Sequence, residues 1–363
     1  MNQSSVDSVR PDTTTARHPA ENARYPFEFR AQGGEYFRIW IVNLALSLLT
    51  LGIYSAWAKV RRLRYFYGST SVAGSSFEYH GEPLKILKGR AIAAAMIVPY
   101  SIASRFNPVL ALVLLLAFLC ALPIFLVKSR RFQNRMSSWR GIRFDFLGSY
   151  REAIRIQIGL SVLVSFTLGL GYPYWLYARE RFLIGRSSYG TEQLEFNARA
   201  GSYYGAFLMA GVIILVVIVG AALLLHPPLA KLNTRHAAEL GLGVWRVIAF
   251  FALVAIAFVM ARAVAQARII NATFGNTTIG GHEIKCELSG TRLAWISVTN
   301  ALMTFATLGL YAPWARVRML RYQFASMSLQ TYGSLDEFVA SESAQVSATG
   351  SEVGDLLDLD FGL

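Results

Sequence analysis

Long stretches without any Asp, Glu, Lys or Arg are the feature that most constrains how this sequence can fold. Such stretches run over residues 39–58, 106–127, 156–178, 200–230 and 293–315. A helix needs about 20 consecutive apolar residues to cross the hydrocarbon core of a bilayer. Each stretch reaches that length, so the chain is predicted to be a membrane protein.

Composition supports this prediction and excludes several other classes of protein. Hydrophobic residues make up 54% of the chain and charged residues 16%, whereas a soluble domain has about 45–50% and about 25%. The net charge of +13 is typical of basic loops that flank membrane helices. Cys120 and Cys286 form no CxxC pair, which excludes a disulfide scaffold.

Seven apolar segments are predicted once two shorter stretches are extended by arginines whose side chains reach the membrane interface. Residues 1–24 are predicted to be a disordered leader. The acidic residues 334–363 are predicted to be a disordered tail, with contact to the basic loops as the alternative. The membrane domain occupies residues 25–333, and its segments lie at about 36–58, 88–105, 108–127, 154–178, 203–226, 245–262 and 293–315.

A short string of residues occurs three times along the chain. The first and third copies align without a gap, and the middle copy has one inserted residue. Self-similarity of this kind predicts a fold built from internal repeats. The repeated positions are Asn43, Thr50, Gly52, Tyr54, Trp57 and Arg61 in the first copy, Thr167, Gly169, Tyr172, Trp175 and Arg179 in the second, and Asn300, Thr307, Gly309, Tyr311, Pro313, Trp314 and Arg318 in the third.

Short stretches between the apolar segments alternate apolar and polar residues, as half-buried strands do. They lie at 27–29, 77–79, 144–146, 194–196 and 284–286, and several follow turns that contain glycine, as in β-hairpins. Because a lone hairpin is marginal in water, we expect several to assemble. The predicted fold class is a multi-pass α-helical membrane protein with internal repeats and short β-hairpins forming a small extramembrane sheet.

The repeated strings resemble the YjgN family of bacterial inner-membrane proteins. The resemblance rests on residues 50–61 and 307–318, each with an asparagine upstream, and on residues 74–81; it covers about residues 25–333. Ala56 departs from the pattern where the third copy has proline, and Leu160 stands where the middle copy would have the asparagine. Because the family is a domain of unknown function, the resemblance implies an inner (cytoplasmic) membrane location and an architecture, and no activity.

The number of crossings is open at this point, and the basic residues help to choose. If all seven segments cross, successive copies are inverted, as in many transporters, and the basic residues are divided between both sides. If segments 36–58, 154–178 and 293–315 enter and leave on one side, nearly all of the 35 Lys and Arg lie inside. The positive-inside rule favours this second arrangement, which places every β-hairpin on the cytoplasmic face.

Two roles are predicted for the repeated string. In the first, its Tyr and Trp form an aromatic belt and its arginines bind anionic lipid head groups. In the second, Asn43, Thr50, Asn300 and Thr307 line a polar path between the copies. The predicted function is accordingly a small-solute permease or channel; the alternative is a non-transporting envelope or scaffold protein whose cytoplasmic β-face recruits a partner.

No catalytic, cofactor or metal site is predicted. The histidines show no HExxH spacing that would hold zinc, and His80 and His282 are interpreted as turn residues. No phosphate-binding loop or nucleophile elbow occurs, so no enzyme activity is expected. Because the arginine clusters directly follow apolar segments, lipid is the expected partner and nucleic acid is not. The oligomeric state is left open.

Overall fold

The structure, a computed structural model, describes residues 22–225 and 237–348. In these ranges the helices are α1 Gly33–Leu49, α2 Ser55–Gly68, α3 Pro83–Phe106, α4 Pro108–Arg135, α5 Tyr150–Ile154, a π-helical turn Arg155–Gly159, α6 Leu160–Phe166, α7 Tyr172–Gly185, α8 Ala200–Leu225, α9 Ala237–Phe274, α10 Gly290–Ala306, α11 Ala312–Ala325 and α12 Leu335–Ala348. The strands are β1 Arg24–Pro26, β2 Glu28–Phe29, β3 Thr70–Val72, β4 Ser75–Tyr79, β5 Ser137–Trp139, β6 Ile142–Phe146, β7 Ser187–Tyr189, β8 Glu192–Gln193, β9 Glu195–Phe196, β10 Thr277–Ile279, β11 His282–Cys286 and β12 Met327–Gln330.

The strands form two antiparallel sheets that join into a closed ring. One sheet has the order β1-β12-β11-β10-β9, and the other β2-β3-β4-β5-β6-β7-β8. Only Phe27 separates β1 from β2, and only Leu194 separates β8 from β9. Each of these two stretches of chain therefore belongs to both sheets, and the twelve strands together make a small barrel. The single sheet predicted above is thus two sheets that share two continuous strands.

The barrel has an apolar interior and a polar exterior. Alternate residues of each strand point to opposite faces of a sheet, and one face supplies the core of Val72, Trp139, Ile142, Tyr189 and Leu329. The opposite face carries Ser76, Glu78, Arg143, Asp145, Glu283 and Lys285. A barrel that sits in lipid has the reverse pattern, so this barrel lies outside the hydrocarbon layer.

Every helical excursion leaves the barrel and returns to it at the neighbouring strand. The α1–α2 pair connects β2 to its partner β3, and the α3–α4 pair connects β4 to its partner β5. The same holds for the helices from α5 to α7, for α8–α9 and for α10–α11. Paired strands lie about 5 Å apart. Each excursion is therefore a hairpin with both ends on the same side of the helical layer.

Within the described ranges, four helices are long and apolar enough to cross a membrane, namely α3, α4, α8 and α9. Between 11% and 17% of the residues in their apolar windows are buried in the protein, so most of their surface is left to lipid. These helices contain all of the predicted segments 88–105, 108–127 and 245–262, and most of 203–226.

Each of the other three predicted segments is interrupted by a turn, which separates α1 from α2, α6 from α7 and α10 from α11. In the middle segment, α6 follows directly on α5 and the π-helical turn. Helix α1 has 17 residues, about 25 Å at 1.5 Å per residue, against a hydrocarbon core of about 30 Å. Its partner α2 carries Lys59, Arg61 and Arg62 near its middle, which makes a crossing costly. Seven crossings would place the two strands that flank each of these three segments on opposite sides of the membrane. Because β2 pairs with β3, β6 with β7 and β11 with β12, the strand pairing contradicts the inverted-repeat alternative.

The carboxyl-terminal stretch corrects the prediction of a disordered tail over 334–363. Residues Leu335–Ala348 form α12, whose Leu335 and Phe338 pack against the apolar core of the barrel. The acidic residues that suggested a solvated tail are accompanied in α12 by Leu335, Phe338 and Val339, which together form an apolar face toward the barrel. Residues 349–363 of the predicted tail and 1–21 of the predicted leader lie outside the described residues. The leader was predicted to extend to residue 24, whereas Arg24 is the first residue of β1.

Candidate functional site

The interior of the barrel contains a cavity of about 390 Å³. Its walls come from both sheets, and at its ends lie residues of α9, α11 and α12. The lining is almost entirely apolar, and the polar atoms of its larger aromatic residues are bonded elsewhere: Tyr189 Oη donates to the Trp139 carbonyl oxygen over 3.1 Å, and Trp139 Nε1 to that of Ser75 over 3.2 Å. Apolar wall residues from the two sheets are Phe27, Val72, Phe77, Phe144, Ile279 and Ile284.

His282 is the polar group that stands out in this lining. It begins β11, its side chain lies on the same face as Ile284, and the residue is 3% exposed. The backbone N–H of Tyr332 donates to His282 Nδ1 over 3.2 Å, while Nε2 is buried with no hydrogen-bond partner among the described residues. Burial lowers the pKa of the imidazole, so the ring is neutral near pH 7.

His282 corrects the interpretation of this residue as part of a turn. Gly280 and Gly281 alone form the two-residue turn, both with positive φ, and His282 pairs with Ile279 as the first residue of the returning strand. The sequence signal that could have shown this was its spacing of two from Ile284, which places both side chains on the same face of the strand.

Helix α12 closes one end of the barrel. Glu342 is 3% exposed, and its Oε2 accepts hydrogen bonds from the Thr191 N–H (2.8 Å), the Thr191 hydroxyl (2.9 Å) and the Glu192 N–H (3.2 Å). At the start of the helix, Arg140 Nη1 donates to Asp336 Oδ1 over 2.6 Å. The contact between the acidic tail and a basic loop, given above as the alternative, is therefore present at Asp336, whose partner Arg140 lies in the turn between β5 and β6.

The three copies of the repeated string form three turns with the same backbone conformation. After each first helix a leucine adopts a positive φ, 50° at Leu51, 50° at Leu168 and 51° at Leu308, and the next glycine has a φ of 92°, 89° and 92°. In the first turn the Gly52 N–H donates to the Ser47 carbonyl (2.7 Å) and that of Leu51 to Leu48 (3.2 Å), a Schellman motif. The leucines at these tips are 94% to 95% exposed, so they are available to lipid.

The threonine of each string joins the two helices of its hairpin. Thr50 Oγ1 donates to the Leu46 carbonyl oxygen (2.7 Å) and accepts from the Tyr54 N–H (2.9 Å). Thr307 makes the equivalent bonds to Met303 (2.7 Å) and from Tyr311 (3.0 Å), and Thr167 accepts from the Gly171 N–H (3.0 Å). Each hydroxyl thereby binds the N–H of the residue directly before the second helix, where a backbone donor would otherwise be unpaired.

The aromatic residues of each string stack beyond the turn. The ring centroids are 6.2 Å apart for Tyr54 and Trp57, 5.5 Å for Tyr172 and Trp175, and 6.1 Å for Tyr311 and Trp314. Pro313 is buried in the first turn of α11, a position that suits its fixed φ, and Ala56 is buried at the matching position of α2.

The two asparagines predicted to line a polar path lie inside separate hairpins. Asn300 Nδ2 donates to the Ala315 carbonyl oxygen (3.1 Å), and its Oδ1 accepts from Arg318 (3.2 Å), so it joins α10 to α11. Asn43 is equally buried, and its Oδ1 has no partner among the described residues. Arg61 is on the exposed side of α2.

The first and third hairpins are brought together, whereas the second packs elsewhere. Trp314 stacks on Phe37 of α1 with the ring centroids 4.7 Å apart, at the point where α1 and α11 meet. In the second hairpin, Tyr172 contacts Phe207 of α8 edge to face, at 5.4 Å. The strings are therefore elements that build hairpins, and nothing in the contacts named here assembles all three around one centre.

The described fold lies within a stretch of sequence that matches a known protein family. The family described as bacterial protein of unknown function (DUF898) matches residues 24–356, which includes every strand of the barrel and every helix. The chain belongs to the DUF898 family. No solved structure matches this DUF898 protein.

Curated relatives of the DUF898 protein carry the name inner membrane protein YjgN. The protein from Salmonella typhimurium is 30% identical over 149 residues, which is 41% of this chain and 38% of the relative. The protein from Escherichia coli O157:H7 is 29% identical over 158 residues, 42% of this chain and 38% of the relative. The matched region is thus well under half of either relative. These names and the four candidate spanning helices confirm the predicted resemblance and the inner-membrane location.

Proposed function

We propose that this DUF898 protein is a non-transporting inner-membrane protein whose working part is the barrel, held at the cytoplasmic surface as a binding module. The observation that carries the proposal is that each helical excursion starts and ends on neighbouring strands. The helices therefore serve to hold one barrel against the membrane, and the two spanning hairpins turn most of their surface to lipid rather than to each other.

Charge supports the cytoplasmic orientation and a lipid partner. Basic residues lie on the helices that connect the membrane layer to the barrel, namely at 59, 61, 62 and 64 on α2, 128, 130, 131 and 135 on α4, 179 and 181 on α7, and 316, 318 and 321 on α11. Basic residues flanking spans stay in the cytoplasm, and each is worth about 1 kcal/mol near an anionic membrane surface. Anionic phospholipid head groups are therefore the proposed membrane partner.

The proposal includes an architecture of internal repeats. The three turns share their leucine and glycine conformations and the threonine cap, and their hairpins each connect two paired strands. These likenesses support a repeating unit of strand, helical hairpin and strand, in which the hairpins with long helices span the bilayer and those with short helices only enter it.

A small-solute permease is the second candidate, and Asn43 is the observation that favours it. Its buried Oδ1 without a partner is the kind of polar group that a solute could use. Against this, the amide group of Asn300 makes its hydrogen bonds within its own hairpin, as asparagines that join membrane helices do.

Labelling of single cysteines in the full-length chain tests the proposal. Cys120, which is exposed, is replaced by serine, and Cys286 is kept because it is buried and should not react in the folded protein. One added cysteine at a time is then placed at Ser76, Glu195 or Lys285 on the outside of the barrel, or at Leu51 on a hairpin tip. We expect an impermeant maleimide to label the three barrel positions only when the cytoplasmic side of the membrane is accessible. Barrel positions that react from the periplasmic side, or that are divided between the two sides, would overturn the proposal.

The Leu51→Cys chain tests whether the short hairpins enter the lipid. Because this side chain is 94% exposed in the protein alone, protection from maleimide in membranes and reaction in detergent would show that lipid covers it. The permease is tested by osmotic swelling of proteoliposomes in glycerol, urea or glycine. Swelling equal to that of protein-free liposomes is expected; faster swelling that Asn43→Leu abolishes would favour the permease.

A further inference from the structure

The volume and the lining of the cavity inside the barrel indicate the class of ligand that it can hold. At about 390 Å³ it lies at the lower end of the range of small-molecule sites, about 300–1,000 Å³. Such a volume suits one extended apolar chain and not a phospholipid with two. Among the described residues, the lining offers no cluster of charges for a nucleotide or a sugar, since its polar residues besides Trp139 and Tyr189 are His282 and Gln323.

We propose that the barrel binds a single-chain amphiphile of the fatty-acid class, with its hydrocarbon chain in the apolar cavity and a carboxyl or carbonyl oxygen accepting a hydrogen bond from His282 Nε2. This inference rests on the proposed function of the barrel as a binding module. It names the class of ligand and the residue that recognises its polar end.

The state of His282 follows from its one hydrogen bond. A backbone N–H can only donate, so Nδ1, which lies 3.2 Å from the Tyr332 nitrogen, is the acceptor and carries no proton. In a neutral imidazole the proton is then on Nε2. Since that atom is buried without a partner among the described residues, the cavity presents one hydrogen-bond donor that an apolar ligand would leave unsatisfied, at a cost.

The surroundings of His282 favour a ligand whose polar end is an uncharged hydrogen-bond acceptor, or shares a proton with the imidazole, over a ligand that ends in a carboxylate anion. The Phe338 ring stands edge to face against the imidazole, with the centroids 5.0 Å apart, and the lining residues beside it on β11 and β12 are Ile284, Met327 and Leu329. A bare carboxylate here would lose its hydration. A protonated fatty acid, or an ester of one, keeps the acceptor oxygen and avoids that cost.

The ends of the cavity indicate how such a molecule would be held. Leu335 and Phe338 of α12 close one end, and the bonds of Glu342 keep that helix in place. Phe274 of α9 and Phe324 of α11 line the cavity and belong to helices that lead toward the membrane. An amphiphile drawn from the lipid would therefore enter between helices and meet α12 at the far end.

Photolabelling of the full-length protein in lipid nanodiscs tests the proposal. The probe is palmitic acid with a diazirine near the end of its chain, and the labelled peptides are identified by mass spectrometry. We expect label on strands β5–β7 and β10–β12, and its loss in Ile284→Trp, which fills the cavity. Glu283→Trp is the matched control, since it adds the same ring to the outside of the same strand and should leave the label in place.

Replacement of His282 tests recognition of the polar end. We expect His282→Leu to weaken competition by unlabelled palmitic acid about two- to tenfold, which is the net effect of one hydrogen bond. Competition by hexadecane should not weaken, because hexadecane makes no hydrogen bond to His282 and no longer leaves a buried donor unsatisfied. His282→Gln, which retains an N–H donor, should restore most of the affinity. Protection of Cys286 from maleimide shows that each variant remains folded.

Three results would overturn the inference. Label confined to α3, α4, α8 and residues 244–269 of α9, none of which lines the cavity, would mean that the probe sits only in the surrounding lipid. Label that persists unchanged in Ile284→Trp would place it outside the cavity. Equal losses for palmitic acid and hexadecane in His282→Leu would make His282 a packing residue. None of these depends on which side of the membrane the barrel faces, so failure here is distinguishable from failure of the proposed function.

Discussion

Glu342 holds the carboxyl-terminal helix in the end of the barrel, and its replacement by glutamine should release that helix. One carboxylate oxygen accepts from two backbone N–H groups and one hydroxyl at Thr191 and Glu192, all within 3.2 Å. Glutamine has nearly the same shape but is uncharged, and its amide nitrogen, itself a donor, cannot accept from these groups.

The size of the effect follows from the kind of bond that is lost. Hydrogen bonds to a charged acceptor contribute about 1.5–3 kcal/mol, compared with about 1 kcal/mol for neutral pairs. Since glutamine can keep part of the set through its own oxygen, we expect a net loss of about 1.5–3 kcal/mol. Because 1.4 kcal/mol is a factor of ten in an equilibrium, α12 should open about 10 to 100 times more often.

Hydrogen exchange in nanodiscs measures this opening. In Glu342→Gln the amides of α12 should exchange about 10 to 100 times faster, while those of β5 and β6 keep their rates. Glu337→Gln is the control, because Glu337 is on the same helix and exposed, and it should change neither. Unchanged exchange of α12 in Glu342→Gln would refute the reasoning, as it would show that apolar packing alone holds the helix.

Three further predictions concern the hairpins and the barrel. Thr307→Val should lower the free energy of unfolding in mild detergent by about 1 kcal/mol, the value of a helix cap, and Thr307→Ser should keep it; equal losses would point to packing. Gly33→Ala should cost about 1–3 kcal/mol because a Cβ there overlaps the Trp314 ring, whereas Gly34→Ala has open space and should be neutral in the same assay. The pKa of His282 is lowered by burial, so the unfolded chain binds a proton at this residue more readily than the folded protein does. The contribution of neutral His282 to the free energy of unfolding is therefore complete above pH about 6.5 and decreases as the pH drops below it. His282→Leu should remove that part of the decline below pH about 6.5, and identical pH profiles for both proteins would contradict the assignment.

The parts of the fold that the sequence predicts are those determined by local composition. Residues 108–127 are apolar throughout, so a spanning helix there needs no knowledge of the rest of the chain. Thr307, Leu308 and Gly309 likewise form their turn with bonds to residues within a few positions. The alternation at 284–286 indicates a strand for the same reason.

The ring of strands could not be predicted because its pairs are distant in sequence. Phe77 lies opposite Trp139 and Phe144 opposite Tyr189, and only the return of each helical hairpin brings them together. Helix α12 was missed because its acidic residues suggest a solvated chain until the bonds of Glu342 are seen. The isolated donor of His282 likewise depends on contacts that no local pattern indicates.

The pairing of β1 with β12 determines when the protein can be completed during its synthesis. Arg24 bonds to Ser328, 304 positions later, and joining the ends of so long a free chain would cost about 5 kcal/mol in entropy. Each hairpin that inserts as it leaves the ribosome instead sets its two flanking strands side by side. Membrane insertion thus replaces one closure of the whole chain by five shorter closures, one for each helical hairpin. The nascent chain then adds strands in order until β12 pairs with β1.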